Sequence, residues 1–392
     1  MKVCVTSATK NSGMAVIRAL GTEGIEVVGA DDRKLPFNLH SRYARRYYVY
    51  PRTEKGGFIE ALIRIMQREE PDVLLPLGGT NLVSKHSAVI EKHTNLIVPA
   101  FESFKVAFDN QRTLEDSNEL GIACPKVLND EQAIHELRRN ERRTDLVSVV
   151  IKPRQDLGGG TGVFFVKDIE EFTNAKLKVE REFGECVVQE YIPGDTASMR
   201  TVNLLFDKQS RLAAYFTSKK IRQWPKSGGI SALSISTHEW ELVELVLPFF
   251  SKWRWQGPAE VEFKIDTRDN QPKLIEINPR FWGYVGFPIR CGVNFPLIAS
   301  KLALGENVAA GTCPKYPAGI KYVNPTAFFK AVRDDIRTSP NKAQAIRRAL
   351  ADLKGKKVTN NLMLTDPLSI VGKILQELKS SEISHHWVIP EQ

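Results

Sequence analysis

Two glutamates, an asparagine and an arginine, Glu262 with Glu276-Ile277-Asn278-Pro279-Arg280, have the types and spacing that could hold a divalent cation against a phosphate. Residues i, i+2 and i+4 of a β-strand share a face. A hairpin of 259–265 with 272–278, turning at Thr267-Arg268-Asp269-Asn270, puts Glu260, Glu262 and Lys264 on one side and Val261, Phe263 and Ile265 on the other. On its second strand Leu274, Glu276 and Asn278 oppose Ile275 and Ile277. Glu262, Glu276 and Asn278 then converge as hard oxygen ligands, the set Mg²⁺ takes when it also bridges nucleotide phosphates. Arg280 offers a planar bidentate donor to a phosphate or a developing oxyanion. An isolated hairpin of this kind is more often a wet face whose acids pair with Lys264 and Lys273.

Residues upstream change that balance. A β-branched run over 147–152 delivers Lys152 just before Pro153. Arg154-Gln155-Asp156-Leu157 and the glycine run Gly158-Gly159-Gly160-Thr161-Gly162 follow, and a second strand returns over 163–166. The tip of such a hairpin presents unhindered backbone N–H groups to an anion. Further on, Lys219-Lys220-Ile221-Arg222 adds charge suited to a triphosphate.

The elements that must position these residues follow from the apolar periodicity. Strands over 2–6 and 25–30 around a helix over 13–23 make a βαβ unit, extended by a helix over 58–70, a strand over 72–76, a helix over 83–93 and a strand over 96–98. That is a Rossmann-like unit of a parallel sheet. Its first turn, Ser7 to Gly13, has one glycine where a dinucleotide fingerprint needs three, and Asp31 reads as a strand-end turn residue. Helices over 113–120 and 131–143, a strand over 186–191, an antiparallel pair over 199–206 and 212–218, and a helix over 239–253 lead to the key hairpin. Beyond Phe295 the pattern is helical, over 297–304, 327–335, 342–353 and 368–378.

Composition excludes several classes. Of 392 residues, 42% are hydrophobic and 26% charged, which is ordinary globular usage, and no run reaches the ~20 apolar residues a membrane helix needs. Five scattered cysteines without a CxxC, and histidines without metal-site spacing, argue against a disulfide framework and a zinc site. The net charge of +9 raises the question of nucleic acid. Residues 325–392, however, hold 11 basic against 7 acidic residues, and Lys354-Gly355-Lys356-Lys357 has no interleaved aromatics, so a solvated helix end is the better reading. Neither a nucleic acid nor a membrane is expected as a partner. With no signal-peptide h-region at Met1–Thr6, a cytoplasmic protein is expected.

Taken in order, Ile151-Lys152-Pro153, Gly158 to Gly162, Val187-Val188-Gln189-Glu190-Tyr191-Ile192-Pro193-Gly194, Ser227-Gly228-Gly229 and Glu276-Ile277-Asn278-Pro279-Arg280 resemble the ATP-grasp superfamily, and most its carbamoyl-phosphate-synthase-like carboxylate-amine ligases. The Glu-Ile-Asn-Pro-Arg run is the most specific element. The resemblance implies an α/β chain with a Rossmann-like pre-ATP-grasp domain (1–108), a two-lobed ATP-grasp fold (α+β) and a helical C-terminal extension (313–392). The two lobes would be a small one with the glycine lid (109–192) and a large one with the metal site (193–312).

It also implies roles. Lys152 would meet the α- and β-phosphates, and the glycine loop would close over the β- and γ-phosphates. Backbone groups of Glu190 and Ile192, with Gln189 and Tyr191 alongside, would read adenine. Glu262, Glu276 and Asn278 would hold one or two Mg²⁺, with Mn²⁺ a substitute. Arg280, with Lys220 or Arg222, would neutralise the moving γ-phosphoryl group. The family's lysine after the domain-opening Asp is replaced by Asn110 after Asp109, and its ribose acid near Thr196 is absent, which leaves Asp195 as the substitute. The acceptor region would be framed by Ser227, Gly228 and Gly229. Arg290 is either an anchor for a second carboxylate or an ordinary salt-bridge residue, and Trp282 and Tyr284 either pack or touch substrate. The implied activity is ATP- and Mg²⁺-dependent joining of a carboxylate to an amine through an acylphosphate, with amino-acid-like substrates and a homodimer as plausible company. Two alternatives stand beside it: a non-catalytic ATP-binding module, and a bicarbonate-using carboxylase or carbamoyl-phosphate-type subunit.

Overall fold

The computed structural model describes residues 1–33, 41–139, 147–155, 159–226, 228–306, 314–359 and 366. Its first sheet is built from β1 (Lys2–Val5), β2 (Glu26–Asp31), β3 (Ala44–Val49) and β4 (Val73–Leu75), all parallel, in the order β3-β2-β1-β4. Strand alternation divides β1 between two cores. Val3 and Val5 pack with Val16, Ile17 and Leu20 of α1 (Asn11–Thr22), whereas Cys4 packs with Leu62, Ile65 and Met66 of α2 (Phe58–Glu69). Burial on both faces is why β1, β2 and β4 read as near-continuous apolar runs. The helix expected over 83–93 is two short pieces, α3 (Thr80–Lys85) and α4 (Ser87–Ile90), and the segment expected as a strand over 96–98 is not one: Asn95 just before it makes an isolated bridge to Val73, and Leu96 and Val98 pack in one core with Cys4 and Leu74.

Helices α5 (Phe101–Phe108), α6 (Asn110–Glu119) and α7 (Asp130–Arg139) lead to a three-stranded sheet of β5 (Val149–Pro153), β6 (Phe164–Val166) and β7 (Cys186–Glu190), ordered β6-β5-β7. One face of it, Val149, Ile151 and Val188, is covered by α7 and by α8 (Ile169–Phe183). The other face carries Lys152 and Gln189, and Lys152 Nζ donates 3.2 Å to the Ile275 carbonyl across the gap to the large sheet.

That large sheet has seven strands in the order β12-β11-β8-β9-β10-β13-β14. They are β8 (Met199–Phe206), β9 (Leu212–Trp224), β10 (Ile230–Thr237), β11 (Gly257–Ile265), β12 (Pro272–Asn278), β13 (Lys321–Val323) and β14 (Lys357–Val358). Val202, Leu204, Ala259, Val261 and Phe263 face α9 (Trp240–Lys252), leaving the other face of β8 and β11 polar. The expected side assignment of β12 is corrected here. A register shift falls at Ile275, so Leu274 joins Ile277 in the core while Glu276 stays opposite Glu262. A bulge of this kind inserts one residue and re-aims its neighbours.

Segment 313–392 was expected to be helical. Its described part has α12 (Pro325–Thr338) and α13 (Lys342–Asp352), but also β13 and β14, which extend the large sheet. The expected helix over 368–378 lies outside the described residues. Between the large sheet and the first sheet lie α10 (Gly286–Arg290) and α11 (Phe295–Ala303), whose Phe287, Phe295 and Ala299 share one core with Val3, Val5 and Leu20.

Candidate active site

The polar face of β8, β11 and β12 forms two rows. Glu262 lies opposite Glu276 and Thr201, and Glu260 lies opposite Asn278 and Asn203. Asn278 Nδ2 donates 3.0 Å to Glu276 Oε1, and Arg280 Nη2 donates 2.8 Å to Asn278 Oδ1, so the three residues of the Glu-Ile-Asn-Pro-Arg run hold one another in place. Lys220 arrives from β9, two strands away, and its ammonium lies 3.0 Å from both Glu262 oxygens. Burial works to lower the Lys220 pKa, but the carboxylates around it, Glu262 first and then Glu260 and Glu276, together carry the net direction up. The register thus brings together Lys220, Glu262, Glu276, Asn278 and Arg280. Arg222 goes elsewhere: its guanidinium bonds Asp352 of α13 at 2.6 Å and also Asp335 of α12.

Below the carboxylate pair lies a network the sequence reading did not use. Glu260 is 5% exposed and accepts a 2.7 Å hydrogen bond from Tyr284 Oη, while buried Asn203 Oδ1 has no partner. Desolvation, then the nearby Glu262, pushes Glu260 up to about 7, against Arg280 and Tyr284. The signal was present in the alternation, since Glu260 shares its face with Glu262. Tyr284 therefore packs at the site floor, with its hydroxyl spent on Glu260.

The small sheet supplies the opposite wall. Lys152 is buried and bound to Ile275 O. Gln189 is also buried, and its Oε1 has no partner, an orphan acceptor on the face turned away from α7 and α8. Such an atom costs stability unless something donates to it. Asn110 donates from Nδ2 to Pro153 O at 3.0 Å and thereby ties the start of α6 to the end of β5.

Glu190 accepts from Arg268 at 2.7 Å, and Arg268 also clasps the buried Asp266 in the turn of the β11–β12 hairpin. Ile192 is buried, and Tyr191 meets Phe165 edge to face. Asp195 Oδ1 caps the short turn Thr196–Ser198, accepting from Ser198 N at 3.1 Å. Lys264, next after Glu262 on the site face, stands 4.6 Å from the centroid of the Tyr191 ring, and burial pushes its ammonium down to about 8 against the pull of Asp195 and Asp266.

Gly159, Gly160 and Gly162 all have positive φ, near 65–76°. A Cβ on Gly160 would come 3.3 Å from Gly228 O, so Gly160 lies close against the backbone at Gly228, and within that second segment a Cβ on Gly229 would come 2.4 Å from Trp224 O. Gly158 and Ser227 fall outside the described residues. Arg290 ends α10 and is exposed.

The four described cysteines are free, and burial drives Cys4 and Cys291 up to about 12, which removes them as nucleophiles at neutral pH. Among the described residues no helix is long and apolar enough to cross a membrane, and no three His, Cys, Asp or Glu side chains gather as a metal site. Two glutamates and an asparagine suit instead a hard cation that takes its remaining ligands from phosphate and water.

Residues 182–326 match the family model described as "ATP-grasp in the biosynthetic pathway with Ter operon". The chain is 26% identical over 322 residues, 75% of its length, to the carbamoyl phosphate synthase large chain of Myxococcus xanthus, and it covers 28% of that protein. It is 22% identical over 244 residues to the D-aspartate ligase of Enterococcus faecium, covering 57% of this chain and 58% of the ligase. Among solved structures, the biotin carboxylase domain dimer of Hydrogenobacter thermophilus 2-oxoglutarate carboxylase, in complex with MgADP, ADP and bicarbonate, superposes with a TM-score of 0.59 at 19% identity, over 80% of this chain and 70% of that one. The chain thus spans 28–38% of the length of the carbamoyl phosphate synthase large chains it matches. The family match over the β7 to β13 region and the architecture shared over four-fifths of the chain give one answer: this protein has the ATP-grasp fold.

Proposed function

We propose that the protein is an ATP- and Mg²⁺-dependent carboxylate-amine ligase that forms an acylphosphate, releases ADP and phosphate, and joins the acyl group to an amine. One observation carries this reading: Lys220, Glu262, Glu276, Asn278 and Arg280 share one sheet face that looks toward Lys152 and Gln189 on another. Amino-acid-like substrates fit the arginine supply and the likeness to a D-aspartate ligase.

Glu262, Glu276 and Asn278 would hold Mg²⁺, which supplies charge neutralisation between triphosphate and attacking carboxylate when bound. Lys152 would bind the α- and β-phosphates. Gly159 to Gly162, with Gly158, would cover the β- and γ-phosphates and exclude water from the reactive acyl group. Gln189 would give its orphan Oε1 an adenine amino donor, with Glu190, Tyr191 and Ile192 along the base edge. Arg280 would meet the γ-phosphoryl oxygens as it departs, and then the oxyanion of the tetrahedral adduct. Lys220, freed when a cation takes Glu262, would assist it. Arg222 would act at a distance, by fixing the end of β9. Gly228 and Gly229, with Ser227, would frame the acceptor, and Arg290 would be an outer anchor for a second carboxylate.

The same reading makes 1–108 a Rossmann-like pre-ATP-grasp domain, 109–192 and 193–312 the two lobes, and 313–392 an extension. It also makes the protein a cytoplasmic enzyme, with a homodimer as its assembly. A second reading, bicarbonate as the carboxylate, draws on the carbamoyl phosphate synthase and carboxylase likenesses.

Mg²⁺-dependent ADP and phosphate release is the test, using pools of carboxylic acids and amino acids, then bicarbonate, beside Glu276→Gln. Release that needs an acid and an amine, and drops at least about 100-fold in E276Q, is the expected result. Release with bicarbonate alone would favour the second reading. AMP and pyrophosphate would reject the acylphosphate.

A further inference from the structure

We propose that Lys264 recognises the ribose hydroxyls of the bound nucleoside triphosphate, acting as donor where Asp195 acts as acceptor. The inference rests on the nucleotide reading above and adds a residue that the motifs do not assign.

Lys264 is two residues after Glu262, on the same face of β11, opposite Met199 and Lys273. Two residues along a strand span about 7 Å. With the phosphates gathered at Glu262, Glu276 and Asn278 and the base at Gln189 to Ile192, that step falls where the sugar joins the two. Nζ stands 4.6 Å from the Tyr191 ring centroid, so the ammonium already lies beside the segment proposed to carry the base.

Its donors are idle. Among the described residues Nζ makes no hydrogen bond and has no carboxylate within 4.0 Å. Asp266, the acid nearest in sequence, spends both oxygens on Arg268. Asp195 engages Oδ1 with Ser198 N and Oγ, and leaves Oδ2 without a hydrogen bond. A half-buried ammonium without an anion is a poor structural choice. Stacking on Tyr191 offsets part of that cost and leaves its N–H groups available. A hydroxyl both donates and accepts, so an adjacent carboxylate and ammonium together satisfy one pair of ribose hydroxyls.

Binding of Mg²⁺ complexes of ATP, 2′-deoxy-ATP and 3′-deoxy-ATP to the full chain, by calorimetry, tests this with wild type and Lys264→Met. Methionine keeps an apolar stem against Tyr191. Wild type should bind ATP about tenfold tighter than at least one deoxy analogue. K264M should lose about tenfold for ATP while that analogue is unchanged, so the preference disappears. Equal loss for all three nucleotides, or no loss, would overturn the role of Lys264, as would ATP binding by wild type without any preference. If K264M fails to fold, Lys264→Gln carries the same comparison. A wild-type protein that binds none of the three would instead overturn the nucleotide reading itself.

Discussion

The Lys220 ammonium and the Glu262 carboxylate neutralise each other, so whatever claims Glu262 must also displace Lys220. Their side chains are only 6% and 16% exposed. Removing one partner strands the other charge in a poorly solvated place, and such losses run to about 3–5 kcal/mol. Lys220→Met should accordingly destabilise the protein by about 3 kcal/mol in denaturant unfolding. Adding Glu262→Gln to it should restore part of that stability. Additive losses in the double variant would mean that the pair does not act as a unit. At this scale the sequence was most informative where a residue type admits few jobs. Glu262, Glu276, Asn278 and Arg280 do meet on one face. Lys220 and Arg222 looked equivalent, yet only Lys220 reaches that face, because Asp335 and Asp352, more than 100 residues later, capture Arg222. No local spacing carries that information.

Among the elements, the β11–β12 hairpin decides the site, and its turn fastens the large sheet to the small one. Arg268 spans Asp266 in the turn and Glu190 at the end of β7. Hydrogen bonds from Arg268 hold the Asp266 carboxyl below its ordinary value, although burial opposes them. A carboxyl whose folded pKa is depressed contributes stability above its unfolded value, and that contribution fades as pH falls through the folded value. Wild type should therefore keep its melting temperature to lower pH than Arg268→Ala, the gap between the two being full above about pH 4, where unfolded aspartate is ionised, and closing as pH falls below it. Parallel curves across pH 2.5–6, values on the order of one to two units either side of that pKa, would refute this. Much of the hairpin was legible from alternation alone. The exception is the bulge at Ile275, invisible because Leu274 and Ile275 are equally apolar. Strands β3, β10, β13 and β14 and helices α5 and α8 went unread. Short strands such as β13 and β14 are defined by the neighbours they pair with more than by their own pattern.

Across the whole molecule, Asp366 is tied back to the beginning of the chain. Asp366 bonds Arg18 of α1 at 2.8 Å, Ser41 Oγ at 2.7 Å and the Arg42 amide at 3.0 Å, and both charged side chains are almost fully buried. Asp366→Ala should cost about 3 kcal/mol, read as a fall in the melting temperature of one cooperative transition. A separate early melting of the first sheet would show that the shared core of Leu20 and Phe295 does not couple the two parts. The pairing of β10 with β13 has a further consequence, for synthesis. Chains emerge from the ribosome amino end first, and domains begin to fold as they emerge. Until Val323 is made, β10, with the sequence Ile-Ser-Ala-Leu-Ser-Ile-Ser-Thr, is an uncharged open edge on a sheet otherwise complete from β12 to β10. Open, uncharged edges recruit other strands. A nascent or prematurely stopped chain ending before β13 is thus the form of this protein most exposed to aggregation and most in need of a chaperone.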